Sequence, residues 1–178
     1  SLMPEEAAGH ADAVVIGEAE NTWPELLKDF KHGILKQFYR SPQKPDLAGL
    51  PLPKRELVEK KSNYLTIPKV ETSRGCPFNC TFCSTTSFFG NRLRFRPVDE
   101  VIDELKRLKT KFVFFTDNNI IGNVRYAEQL FKELVKLKIK WVGQASLNSA
   151  KRMEMQRLMA KSGCVGLLRS ALARGLSA

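Results

Sequence analysis

Apolar positions along the chain fall into two regimes. Between residues 98 and 163 they recur at helical intervals, separated by compact apolar runs. Val98, Val101, Ile102, Leu105 and Leu108 share one helical face behind Pro97, and "FVFFT" at residues 112–116 follows as a buried strand. Ala127, Leu130, Phe131 and Leu134 mark a second helix, and "IKWVGQASL" at residues 139–147 a further strand. Ala150, Met153 and Leu158 mark a third helix closed near Gly163, and "CVGLL" at residues 164–168 follows as a fourth strand. The strand that opens the series is read in "YLTIPKVETS", residues 64–73. Strands alternating with helices of this length predict βαβ units and a parallel sheet, because parallel neighbours need long crossovers.

Upstream the pattern is thinner. Residues 12–17, "DAVVIG", read as a short buried strand, and residues 21–33, "NTWPELLKDFKHG", as a helix with Pro24 in its first turn and Gly33 at its end. Residues 41–53, "SPQKPDLAGLPLP", are proline-rich and predict an extended linker.

At 178 residues and 43% hydrophobic content the chain can bury one sizeable core, as one domain or one domain with an appendage. No apolar run approaches the roughly 18 to 20 residues of a membrane span, and the first residues lack a signal-peptide layout. The expected compartment is the cytoplasm, where thiols stay reduced and clustered cysteines serve as metal ligands or catalytic groups rather than disulfides. The formal net charge of +10 is spread over stretches such as "DELKRLKTK" and "FKELVKLKIK", the pattern of solvated helix faces. That distribution argues against nucleic acid as a partner.

The chemistry concentrates in residues 74–83, "RGCPFNCTFC", where Cys76, Cys80 and Cys83 are spaced by three and two residues; the remaining cysteine, Cys164, is remote. Structural zinc sites want four ligands, usually as two pairs, and neither His10 nor His32 sits in a paired spacing. A nucleophile or redox pair needs no triplet. Thiolates also hold iron-sulfur clusters, and three of them around a four-iron cubane leave one iron open to an outside ligand.

At these residues the chain resembles the radical S-adenosylmethionine (SAM) enzymes, whose signature is C-x3-C-x2-C in the loop after the first barrel strand. Cys76, Cys80 and Cys83 match it, with Phe82 at its aromatic position, and the flanks "ETSRGCPFNCTFCSTTSFFG" are similar to the branch that often carries a cobalamin-binding domain. The resemblance implies a [4Fe-4S] cluster on the three cysteines and SAM on the open iron. It implies reductive cleavage of SAM to a 5'-deoxyadenosyl radical, for methylation or rearrangement of a small-molecule substrate, with electrons from an external donor. Phe82 would lie beside the adenine. Asp117, Asn118 and Asn119, in "TDNN" after the second strand, would hold the SAM amino end, although relatives commonly show two acidic residues before Asn and Asn118 departs from this. A strand-to-helix turn with capping explains the same stretch as well. Gln144 and Ser146 are weaker candidates, since alternation can turn either away. Arg74, Arg92, Arg94 and Arg96 would favour the reduced cluster or hold the SAM carboxylate, or else form a solvated basic loop.

The implied fold is α/β: a partial radical SAM barrel with about four of six parallel strands, plus an N-terminal remnant of a cobalamin-binding Rossmann-like domain. The expected organisation is a remnant at residues 1–40, a linker at 41–63, a core at 64–168 and an aberrant tail without strand pattern at 169–178. The family's Gly-Phe-Glu-Ser-like segment is replaced by "RSALARGLSA", so the core reads as clipped and catalytically impaired, with an unpaired edge on its last strand. No Asp-x-His-x-x-Gly motif is present and His10 does not match it, so cobalamin is not expected on this chain. The alternative function is a non-catalytic iron-sulfur cluster-binding fragment. The substrate is not legible.

Overall fold

The computed structural model describes residues 1–59, 67–78, 80, 83–146 and 152–170. Its N-terminal unit contains α1 (Pro4–Ala8), β1 (Val14–Ile16), α2 (Trp23–Lys31) and β2 (Phe38–Arg40). β1 and β2 pair in parallel, Val14 beside Phe38 and Ile16 beside Arg40. Tyr39 closes this unit from beneath: it is 2% exposed and its hydroxyl donates to Asp29 of α2 at 3.0 Å. β2 escaped the sequence reading because three residues ahead of a proline-rich stretch show no periodicity.

The proline-rich segment holds no helix or strand, bends at residues 42–43, turns at residues 48–49, and is docked on the core. Leu47 is fully buried. The backbone N–H of Gly49 donates to Glu100 at 3.0 Å, and Arg55, just before α3 (Glu56–Glu59), donates to Glu104 at 2.6 Å.

The core is a four-stranded parallel sheet in the order β3 (Lys69–Val70), β6 (Phe112–Phe115), β7 (Lys140–Ser146), β8 (Cys164–Ser170). Helices α5 (Val98–Leu108), α6 (Val124–Leu137) and α7 (Met153–Lys161) run between successive strands. Their buried positions keep the helical period, Val101, Ile102 and Leu105 on α5 and Ala127, Leu130, Phe131 and Leu134 on α6. Fully buried Trp141 of β7 anchors the layer: it stacks on Phe131 at 5.1 Å, meets Phe115 edge-on at 5.6 Å, and donates its indole N–H to Ser162 at 3.1 Å.

Two departures from the sequence reading matter for the site. The single strand read at residues 64–73 splits: β3 belongs to the parallel sheet, whereas β4 (Ser73–Arg74) leaves it and pairs antiparallel with β5 (Arg94–Phe95). β8 runs through Arg169 and Ser170 in register with Ala145 and Ser146, so strand structure enters the segment expected to lack it; residues 171–178 lie outside the described residues, as does Ala150.

Candidate functional site

A cleft of about 200 Å³ opens at the carboxyl ends of the parallel strands, the edge where ligands gather in α/β folds. Cys76, Cys80 and Cys83 line it together with Asn118, Asn119, Gln144 and Ser146, and Phe78, Thr85, Ala145 and Leu168 complete the lining. Residues far apart in sequence, from the cysteine loop and from the ends of β6 and β7, thus converge on one space.

Local sequence explains how the cysteines arrive there. β4 carries the chain out of the sheet and Gly75 turns it: its φ is 95°, and a Cβ there would stand 2.5 Å from the carbonyl oxygen of Arg92 on the neighbouring segment. Only glycine fits that approach. Cys76 follows at once. The Cys83 N–H donates to the Cys80 carbonyl at 3.1 Å, and Cys83 then occupies the N-cap position of α4 (Ser84–Phe89). Burial pushes the Cys76 thiol above its ordinary pKa, with the neighbouring Cys83 and Cys80 adding to the rise. The Thr85 hydroxyl and backbone hold the Cys83 thiol below its ordinary value. All three thiols are unbridged. Among the described residues no group of three His, Cys, Asp or Glu side chains is gathered closely enough to hold a metal ion, so the thiols share the cleft without forming a ready ligand set. By their chemistry three soft donors lining one cleft suit an iron-sulfur centre.

Apart from the thiols, the polar residues of the cleft are neutral. In β7 burial alternates, so that Trp141 and Ala145 are buried in the core while Gln144 and Ser146 share the other face, and Gln144, Ala145 and Ser146 all line the cleft at the strand's end. Asn119 bridges two strand ends, since its carbonyl oxygen accepts from the Ser146 N–H at 3.2 Å and its amide donates to the Ser146 hydroxyl at 3.4 Å. Asn118 accepts from the Thr85 hydroxyl at 3.2 Å.

Asp117 is elsewhere. It is fully buried, does not line the cleft, and accepts three hydrogen bonds from the β3–β4 corner: Thr72 N–H at 3.1 Å, Thr72 hydroxyl at 2.6 Å and Ser73 hydroxyl at 2.5 Å. Burial pushes its carboxyl above the usual carboxylate range, against the pull of those donors. A side chain so committed is not the open acceptor for an ammonium that the sequence suggested. Phe82 lies outside the described residues.

The arginines are corrected likewise. Arg74 pairs with Glu18 at 2.8 Å, Glu20 at 2.5 Å and Glu71 at 2.8 Å; Arg94 pairs with Glu18 at 2.6 Å; Arg96 pairs with Glu104 at 2.6 Å. They join the N-terminal unit, β4, β5 and α5, and none of them, nor Arg92, lines the cleft. Cys164 is also outside it, half-buried in β8 with its thiol pushed up by burial. Phe78 and Thr85 are cleft residues that the sequence reading missed; Phe78 was signalled only by its place between two cysteines.

A parallel α/β sheet that presents three cysteines on a loop at its carboxyl edge suits the binding of a thiolate-held cofactor and does not by itself name an activity. The model of the radical SAM superfamily matches residues 70–167, more than half of the chain, and the chain belongs to that superfamily. Among curated relatives it is 29% identical over 173 residues to bacteriochlorophyllide d C-12(1)-methyltransferase of Chlorobaculum tepidum, covering 92% of this chain and 38% of that protein. It is 29% identical over 162 residues to hopanoid C-2 methylase of Rhodopseudomonas palustris, covering 83% and 30%. The chain therefore spans well under half the length of these relatives. Among solved structures it is similar to the radical SAM methyltransferase TsrM of Kitasatospora setae, solved with cobalamin and a [4Fe-4S] cluster bound, with a TM-score of 0.55, 21% identity, and coverage of 59% of this chain and 21% of that one. That likeness bears on the fold. Among the described residues no helix is long and apolar enough to cross a membrane.

Proposed function

We propose that this chain forms the cluster- and SAM-binding part of a radical SAM methyltransferase acting on a small molecule. The observation that carries the reading is the convergence of Cys76, Cys80 and Cys83 with Asn118, Asn119, Gln144 and Ser146 on one cleft. The three thiolates would hold a [4Fe-4S] cluster and leave one iron for SAM, and the bound cluster supplies the electron for reductive cleavage. The protein's own part is binding and orientation. Asn118 keeps a lone pair beyond its Thr85 contact for an ammonium, Gln144 and Ser146 present donors and acceptors on the same face, and Phe78 and Leu168 add apolar surface to the cleft. Phe82 is assigned to the adenine on the sequence resemblance.

In this reading the four-stranded sheet is part of a radical SAM barrel, and β1, α2 and β2 belong to a βαβ unit of the cobalamin-binding kind. No residue of this chain is assigned to cobalamin. The named substrates of the relatives, bacteriochlorophyllide d and hopanoid, favour a small-molecule methyl acceptor.

Anaerobic reconstitution with iron and sulfide tests the ligand set. Wild-type protein is expected to bind about four irons per chain. Alanine at Cys76, Cys80 or Cys83 should abolish the cluster, and Cys164→Ala should retain it. Loss of the cluster in Cys164→Ala alone would overturn the assignment.

A further inference from the structure

At the point where the chain leaves the sheet, the parallel ladder between β3 and β6 ends with the Thr116 N–H donating to the Val70 carbonyl at 3.0 Å. Two residues later the backbone N–H of Thr72 finds the Asp117 carboxylate rather than a strand, and the hydroxyls of Thr72 and Ser73 donate to the same group. The Thr72 carbonyl is occupied as well, accepting from the Arg96 N–H at 2.9 Å, with the Tyr126 hydroxyl 3.2 Å away and nearer the Arg96 carbonyl at 2.8 Å. Every polar group of Thr72 is therefore used. Thr72 and Ser73 are 1% and 5% exposed, so none of these donors has water as a substitute. Ser73, Arg74 and Gly75 lead from this corner directly to Cys76.

The residues next to Asp117 hold the other sides of the cleft. Asn118 holds Thr85, two residues beyond Cys83, and Asn119 holds Ser146 at the end of β7. Three consecutive side chains thus tie the entry of the cysteine loop, its exit and the neighbouring strand end to one short segment after β6.

We infer that Asp117 is a positioning residue: its carboxylate, bound to Thr72 and Ser73, fixes the direction in which the chain leaves the sheet and so places Cys76 against Asn118 and Asn119. This rests on the proposed function for its catalytic meaning but not for its geometry. The chemistry favours Asp specifically. All three partners present donors, and a carboxylate is acceptor-only; an amide offers one acceptor oxygen and must turn its NH2 toward hydroxyls that then act as acceptors. Asp117→Asn can keep part of the arrangement by that reversal, whereas Asp117→Ala keeps none.

Two readouts test this. The first uses protein without cofactors: alkylation of individual thiols, followed by mass spectrometry, in wild type, Asp117→Ala, Asp117→Asn and the double variant Thr72→Val, Ser73→Ala. Cys76 should react at least about tenfold faster in Asp117→Ala and in the double variant, with Asp117→Asn intermediate and Cys164 unchanged as an internal control of folding. The second is titration with SAM after reconstitution. Asp117→Ala should load its cluster but need about tenfold more SAM for half-saturation, and adding Thr72→Val and Ser73→Ala to it should cost nothing further.

Wild-type alkylation of Cys76 in Asp117→Ala would overturn the inference, whatever the cofactors do. If Asp117→Ala weakened SAM while the double variant had no effect on either readout, Asp117 would act on SAM directly and the inference would also fail. If wild type bound no cluster, the proposed function would fall while the alkylation result still decided the role of Asp117. Should Asp117→Ala not fold, Asp117→Asn and the double variant carry the same comparison.

Discussion

Glu18 shows how much a single buried side chain can organise. It is 7% exposed and takes the guanidinium groups of Arg74 and Arg94 together. Burial alone would raise its carboxyl, but the hydrogen bonds and charges of Arg94 and Arg74 outweigh that and hold it below the ordinary glutamate value. A carboxyl whose folded pKa lies below its unfolded one contributes stability that is present above the unfolded value, about 4.3, and is lost as pH falls through the folded value. Urea unfolding of wild type and Glu18→Gln across pH should therefore show a gap near neutrality that narrows below about pH 4.3. A gap independent of pH would contradict the ion-pair account. None of these partnerships was legible in the sequence. Cys76, Cys80 and Cys83 were, because their spacing is local. Arg74 and Arg94 find Glu18 across 56 and 76 residues, and Asp117 finds Ser73 across 44, separations over which composition says nothing about pairing.

At the scale of elements, α5, α6, β6 and β7 were legible because long amphipathic helices and apolar runs carry their period in the sequence. The short elements were not. β4 and β5 are two residues each and pair beside Gly75, and α4 is a six-residue helix that follows directly on Cys83, with no capping side-chain hydrogen bond to announce its start. The joints between elements make a separate prediction. Gly163, between α7 and β8, has φ 96°, and a Cβ there would lie 2.0 Å from the Ile139 carbonyl oxygen. Lys138, which ends α6, also has a left-handed backbone, φ 53°, but is exposed and carries a side chain at a cost of about 1 kcal/mol. Gly163→Ala should lower stability by more than about 1 kcal/mol, and Lys138→Gly should raise it by up to about 1 kcal/mol. Chemical denaturation checks both; equal effects of the same sign would show that backbone conformation does not govern these joints.

Over the whole molecule, the network around Glu18, Arg74, Arg94 and Glu20 fastens the N-terminal unit to the segment that delivers the cysteines, and Arg55 with Glu104 fastens the proline-rich strap to α5. The sequence suggested a linker here, and this segment is docked through Leu47, Gly49 and Arg55. On the far side, β8 is the outer strand of the sheet among the described residues, with Val165 and Leu168 more than half exposed. The cleft lies between these features, walled by the cysteine loop and the strand ends. The proposed function requires that Cys76, Cys80 and Cys83 hold a cluster with one iron left for SAM. The most direct measurement is the electron paramagnetic resonance spectrum of the reduced, reconstituted protein with and without saturating SAM. If SAM ligates an open iron of the cluster, the signal should change; an unchanged spectrum would show that the three-cysteine cleft holds a cluster without serving SAM.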